Sequence, residues 1–231
     1  QPWKKGQKFI QKDLAKTLKK IARYGRDGFY SGTVAQLIVQ EMKRGNGLIT
    51  KEDLHNYESK YRPPILGTYK GYEIVSMGPP SSGGALLINM LNMLENYPMD
   101  TISWNSSNYI HLLTEVERRA YADRAEHMGD PDFWDVPISM LTSKKYAKSR
   151  IKNIDLNEAT PSSSVSASKK TSYESPETTH YSVVDRWGNA VSVTTTINLG
   201  YGNGCVVEGA GFFLNNEMDD FSSKPGVPNA F

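Results

Sequence analysis

The sequence holds a single cysteine, Cys205, which excludes an internal disulfide framework; the residue sits in a glycine-rich turn and reads as incidental. No apolar run approaches the ~20 residues that a membrane-crossing helix needs, and the start of the chain shows no signal-peptide pattern. Charge of one sign is also lacking. Against 27 Lys and Arg stand 25 Asp and Glu, a net +2, so nothing in the balance asks for nucleic acid or an anionic membrane as partner. The Lys-rich start, Lys4 to Lys20, alternates with apolar residues and reads as a solvated helix face. Zinc-ligand spacing is absent around His55, His111, His127 and His180. The acidic run "NNEMDD" (215–220) lacks the residue pattern of a calcium loop. "GYGNG" (200–204) is followed by no Lys-Ser/Thr pair, and "GPPSSGG" (78–84) does not match a serine nucleophile elbow. We therefore expect no metal and no cofactor.

What the chain does have is enough apolar material for a substantial core: 38% hydrophobic residues over 231 positions. Ile10, Leu14, Leu18 and Ile21 recur near helical period as far as Gly25, and Val34, Leu37, Ile38 and Met42 do so up to Gly45. "TKED" (50–53) has the form of a capping box. "ILGTYKGYEIVSM" (65–77) reads as two strands about a Lys70-Gly71 turn, and helices are expected over 84–97 and 107–128. From 160 to 177 the composition turns to Ser, Lys, Thr and Pro, which supports a flexible linker rather than a packed element. The period then changes to two. "THYSVVD" and "AVSVTTTIN" flank a turn at 186–189, and "GAGFFLNN" (209–216) reads as a further strand, with Val183, Val191 and Val193 expected inside. The fold class is α+β, helix-rich first and β-hairpin-rich towards the C-terminus.

Within that plan the pair Thr178-Thr179 has two readings. β-Branched residues favour strands, so a strand opening on two threonines needs no chemical explanation. Alternatively, scission between Glu177 and Thr178 would place a new α-amino group beside the Thr178 hydroxyl. Such an amine titrates near 7.7 to 8.0 and can accept the hydroxyl proton around neutral pH. An unpacked run just upstream suits a bond that must bend towards a tetrahedral intermediate. Thr194, Thr196 and Asn198 could then reach Thr178 from the partner strand, or form a solvated polar face. His180 shares a strand face with Thr178 but stands parallel to it, and a packing role is expected for it. The carboxylates of 215–220 suit capture of an ammonium group.

Taken jointly, "TTHYSVVDRWGNAVSVTTTIN", "LNNEMDDFSSKPGVPN", "GPPSSGG", "AYADRAEHMGDPDF", "QKDLAKTLKKIARYGRDGFYSG" and "GLITKEDL" closely resemble the γ-glutamyltranspeptidases, members of the N-terminal-nucleophile hydrolases, over essentially the whole chain. The resemblance implies part of an αββα sandwich and a precursor that cuts itself at Glu177–Thr178. On that plan 1–159 is the helix-rich C-terminal part of the large subunit, 160–177 the linker ending at the cleavage site, and 178–231 the start of the small subunit.

The resemblance also implies roles. Thr178 matches the catalytic threonine, Thr196 the threonine whose hydroxyl bonds to it, and Asn198, Glu217 and Asp220 the residues that hold the donor's α-amino group. The position of Glu217 is Gln in some members, and Thr195 stands where bacterial members carry Tyr. Glutathione and other γ-glutamyl compounds are the implied donors, with water, an amino acid or a dipeptide as acceptor, in the periplasm or outside the cell. The family's carboxylate-gripping arginine would lie before Gln1, and its oxyanion-hole glycines and neighbouring serines after Phe231. The expectation is thus a piece of a longer enzyme, inactive alone. A related acylase acting on glutaryl β-lactams and a non-catalytic structural portion are the alternatives.

Overall fold

The computed structural model describes residues 4–165 and 178–225. Its chain divides into two compact units, Gln1–Lys60 with Ser175–Asp219 and Tyr61–Glu174 with Asp220–Phe231.

In the first unit, α1 (Lys12–Tyr24), α2 (Asp27–Tyr30), α3 (Gly32–Gly45) and α4 (Lys51–Asn56) follow one another closely. The α1 stripe is less buried than its period suggests. Leu14 and Ile21 are half-buried, Ile10 precedes the helix, and Leu18 is exposed. Thr17 is buried instead, its hydroxyl donating to Ala210 O at 2.8 Å. The α3 helix ends where Asn46 takes a left-handed φ of 56° and returns its N–H to Met42 O, the usual device for closing a helix. The capping box of α4 forms as its sequence requires: Asp53 N–H donates to Thr50 Oγ1 at 3.1 Å, and Thr50 N–H donates to Asp53 Oδ2 at 2.7 Å. The core gathers Val34, Ala35, Ile38 and Leu54 with Val207 and Ala210.

The same unit carries β3 (Thr179–Val184) and β4 (Ala190–Thr195), paired antiparallel from Thr179 opposite Thr195 to Val184 opposite Ala190. The hairpin is where the period-two pattern put it, but its valines are not inside. Val183 and Val191 are 55% and 56% exposed, and Val193 is half-buried. Alternation marks the two faces of a strand, whereas burial needs a second layer. Among the described residues these two strands form a sheet of two with no further strand beside them. The strand expected over 209–216 is also absent. Gly209 and Gly211 take φ of 76° and 79°, left-handed values that break an extended run, and only an isolated bridge between Val206 and Phe213 forms.

In the second unit, β1 (Ile65–Tyr69) and β2 (Tyr72–Ser76) make a tight hairpin, with Lys70 and Gly71 at φ of 47° and 86°, the two positive values that a primed two-residue turn demands. Then come α5 (Gly83–Leu94), α6 (Ser107–His127), α7 (Ile138–Leu141) and α8 (Lys144–Arg150). Leu86, Met93 and Leu94 of α5 pack on Leu112, Val116 and Ala120 of α6 and Ala147 of α8. Among these apolar residues α6 buries charge: Glu115 and Arg119 are each 1% exposed. Arg119 Nη1 donates to Glu115 Oε2 at 2.5 Å and Nη2 to Thr160 Oγ1 at 3.1 Å, while Thr160 N–H donates to Glu115 Oε1 at 3.0 Å. The tract expected to be unpacked is thus fastened to α6 at its first residue; positions 166–177 of it lie outside the described residues.

Candidate functional site

Thr178 immediately precedes β3 and is exposed. Glu177, the other side of the expected cleavage site, lies outside the described residues. Pairing ends with Thr179 opposite Thr195; Thr178 and Thr196 are the next residues beyond that pair, and continuing the register by one would set them opposite each other. Side chains alternate along a strand, so Thr178, His180 and Ser182 share a face with Ser192, Thr194 and Thr196. That face is polar as far as Ser182 and Ser192 and ends on the Val184–Ala190 pair; Tyr181, Val183, Val191 and Val193 occupy the other.

Beyond β4 the chain turns instead of continuing the face. Asn198 takes a left-handed φ of 73° and its N–H donates to Thr196 Oγ1 at 2.9 Å. The Thr196 oxygen is thereby used as an acceptor, which leaves its own O–H to donate elsewhere. Two further bonds tie this turn to the acidic segment: Asn198 Nδ2 donates to Asn216 O at 3.3 Å, and Leu199 N–H to Asn216 Oδ1 at 3.0 Å. The segment has local supports too. Glu217 N–H donates to Asn215 Oδ1 at 3.0 Å, Asn216 Nδ2 to Asp219 Oδ2 at 2.7 Å, and Glu217–Asp220 forms one 3-10 turn.

The GYGNG run has its role here. Gly202 lies against the chain at Leu214, where a Cβ would come within 2.0 Å of Leu214 O. Only a glycine permits that approach, and it presses the segment before Asn215 against the turn after Asn198. The structure therefore brings Thr196, Asn198 and Glu217 into one set of linked loops, with Asp220 at the end of the same 3-10 turn.

His180 departs from its expected packing role. It is exposed, and both ring nitrogens face hydroxyls of β4, Nδ1 at 2.8 Å from Thr194 Oγ1 and Nε2 at 3.1 Å from Ser192 Oγ. Among the described residues nothing covers this face, and the ring lies along β4 with its polar atoms on the two hydroxyls. A turn at 186–189 would set position 180 opposite 195; the observed pairing of Val184 with Ala190 draws Asp185 into the turn and sets 180 opposite 194.

Burial and the neighbouring Glu41 push the Cys205 thiol up, which disfavours its thiolate. Among the described residues no group of three or more His, Cys, Asp and Glu is placed to hold a metal ion. No helix among them is long and apolar enough to cross a membrane.

The helices, the small antiparallel sheets and the likeness to solved enzymes make this part of an N-terminal-nucleophile hydrolase. It resembles Helicobacter pylori gamma-glutamyltranspeptidase with a TM-score of 0.68 at 45% identity, over 75% of this chain and 52% of that one. It resembles a cephalosporin acylase from Bacillus halodurans with a TM-score of 0.79 at 25% identity, over 96% of this chain and 39% of that one. The chain belongs to the gamma-glutamyltranspeptidase family, whose model matches residues 1–231. It is 52% identical over 231 residues to the glutathione hydrolase proenzyme of Escherichia coli K12, and it spans 40% of that protein's length.

Proposed function

We propose that the complete protein is a γ-glutamyltransferase and glutathione hydrolase that cuts itself at Glu177–Thr178 and then uses Thr178 as its nucleophile. The observation that carries this reading is a hairpin whose pairing ends with Thr179 opposite Thr195, next to Thr178 and Thr196, and whose following turn is bonded to the acidic segment. In the cut, the Thr178 hydroxyl attacks the Glu177 carbonyl, the C–N bond breaks to leave an ester and a free amine, and water then hydrolyses the ester. On this division 1–159 ends the large subunit, 160–177 leads to the cut, and 178–231 begins the small subunit.

In turnover the new α-amine takes the hydroxyl proton as Thr178 attacks the γ-glutamyl carbonyl. The proton passes to the departing amine, which leaves as the C–N bond breaks, and water or an acceptor amine resolves the γ-glutamyl ester. Thr196, its oxygen already accepting from Asn198 N–H, donates a hydrogen bond to the Thr178 oxygen. Asn198, Glu217 and Asp220 hold the donor's α-ammonium. The periplasm or the exterior of the cell is the compartment we infer, on the family resemblance alone.

The experiment that tests the donor assignment is Asp220→Ala in the complete enzyme. Loss of a hydrogen bond to a charged group costs about 1.5 to 3 kcal/mol, so KM for a γ-glutamyl anilide rises about 10- to 100-fold. Turnover of a glutaryl anilide, which has no ammonium, stays the same. Unchanged KM removes Asp220 from the site, and faster glutaryl than γ-glutamyl turnover by the unaltered enzyme makes it an acylase instead. Thr196→Ala is expected to lower kcat about tenfold, the worth of one hydrogen bond, with little change in KM. Equal acylation rates in a single-turnover measurement would refute that role.

A further inference from the structure

We propose that Glu115, Arg118 and Arg119 of α6 form an end-clamp for the large subunit, holding Thr160 so that the chain end released at Glu177 unravels no further back than that residue. This rests on the cut at Glu177–Thr178 proposed above. The clamp engages the backbone and the side chain of Thr160 together. Its N–H donates to Glu115 Oε1 at 3.0 Å, its Oγ1 accepts from Arg119 Nη2 at 3.1 Å, and its carbonyl accepts from Arg118 Nη1 at 2.8 Å. Arg118 Nη2 also reaches Ser162 Oγ at 3.2 Å.

The three charged residues share one side of α6, since Arg118 and Arg119 follow Glu115 at the two spacings where helix side chains meet, and Glu115 Oε1 also accepts from Arg118 Nη1 at 2.8 Å. Arg119 ties the clamp to the end of α8. Its Nε donates to Arg150 O at 2.8 Å and its Nη2 to Asn153 Oδ1 at 2.9 Å, while Arg150 Nη2 donates back to Arg119 O at 3.0 Å. All these groups lie between Glu115 and Ser162, inside the second unit, and Glu115 and Arg119 are buried there. The clamp is therefore complete within this stretch, whatever further layers the whole protein adds.

Burial alone has little to hold beyond this point. Among the described residues, Ile151 and Ile154 are the last side chains along the chain that pack on the α5–α6 core, and from 161 to 177 only Val165, Ala167 and Tyr173 offer much apolar surface. Before the cut that stretch is joined to the protein at both ends. The cut makes it a tail, and a free end frays back to the first residue that is held. With the clamp, that residue is Ser162 or Thr160. Without it, fraying runs on towards Ile154 and the end of α8.

The test uses the full-length protein after it has cut itself, with a broad-specificity carboxypeptidase under native conditions as probe and the mass of the large subunit as readout. Such an enzyme trims from a free chain end, so on the large subunit it starts at Glu177. In the unaltered protein trimming is expected to stop within a few residues after Thr160. In Arg118→Met and in Thr160→Val it runs past Thr160 towards Ile154, about 10- to 100-fold faster than in the unaltered protein, the equilibrium worth of a hydrogen bond to a charged group when opening is fast relative to cleavage. Thr160→Ser keeps the hydroxyl and stops where the unaltered protein does. In all three, kcat and KM for a γ-glutamyl anilide stay as they were, which a general loss of structure would not allow. Thr160→Val leaves the three charges in place and decides the matter should Arg118→Met fail to fold. Trimming that halts within 166–177 in every protein means that the tail is held elsewhere, and it overturns the proposal. So does a stop at the same residue with and without the substitutions, or passage beyond Thr160 in the unaltered protein. A full-length protein that yields no separate large subunit has failed at the cut itself, and the end-clamp falls with it, whereas a normal cut followed by any of those three outcomes sinks the clamp alone.

Discussion

Thr178→Ala in the complete precursor is expected to leave a single uncut polypeptide and to lower γ-glutamyl turnover at least about 10⁴-fold, the order of loss seen when a hydrolase loses its nucleophile. Two functions are lost with one hydroxyl. Without it the Glu177 carbonyl has no neighbouring attacker, so no α-amine is freed. Even if the chain were cut by an added protease, the amine would have no hydroxyl to activate. Thr178→Ser keeps both the oxygen and, after the cut, the amine, and is expected to cleave and turn over. The pH profile offers a second check. The amine must be unprotonated to act as base, so turnover rises with pH through the 7.7 to 8.0 range of an ordinary α-amine. A denaturing gel and N-terminal sequencing read the cleavage directly: the parent protein yields a fragment beginning Thr-Thr-His-Tyr, and Thr178→Ala does not. A Thr178→Ala protein that still produced two subunits would place the scissile bond elsewhere.

Much of this site is legible in the amino-acid sequence, because its logic is local. The hairpin follows from alternation on either side of a Gly-containing turn, but its register does not: a turn at 186–189 would pair Thr179 with Thr196, whereas Asp185 joins the turn and Thr179 pairs with Thr195. The helices likewise follow from period and caps, as the Thr50–Asp53 box shows. What pattern cannot supply is the second layer. Val183 and Val191 alternate as core residues do, yet they stand exposed, since burial depends on what packs above a strand and alternation does not report that. The strand expected at 209–216 fails for a local reason, the two glycines with positive φ. Asn198 falls on a strand face by alternation, whereas its left-handed backbone turns it towards Asn216. The buried charges of α6 escape a reading by period although they leave a trace. Glu115, Arg119 and Asp123 fall three residues after Leu112, Val116 and Ala120 respectively, beside the stripe that packs against α5. A charge at such a position is either a misplaced residue or one with a partner waiting in the fold.

Glu115→Gln is expected to destabilise the protein by about 3 to 5 kcal/mol near neutral pH, the usual cost of removing one member of a buried ion pair. Arg119 is fixed by bonds to Arg150 O at 2.8 Å and Asn153 Oδ1 at 2.9 Å, so it cannot swing out to water when its carboxylate partner goes. Thr160 N–H, bonded to Glu115 Oε1 at 3.0 Å, faces a weaker acceptor. Burial alone would raise the Glu115 carboxyl, but hydrogen bonds from Thr160 and Arg119 and the Arg119 charge outweigh it and hold the group at about 2. An unfolded glutamate titrates at about 4.3. The folded state therefore binds the proton less readily, and the stabilisation is fully present above about pH 4.3 and fades as pH falls towards 2. Asp123 behaves oppositely. Its carboxyl is raised by burial despite Arg150, Tyr146 and Asn89, so its contribution falls as pH rises, but it is common to both proteins and cancels in their difference. Denaturant unfolding of the parent and of Glu115→Gln, compared at about pH 7 and about pH 3, should show the gap between them narrowing at the lower pH. The double variant Glu115→Leu, Arg119→Leu should regain much of the lost stability, because two apolar side chains need no charge partner. A gap that stays constant with pH would mean that Glu115 acts through its shape alone and that the ion pair beneath Thr160 contributes nothing of its own.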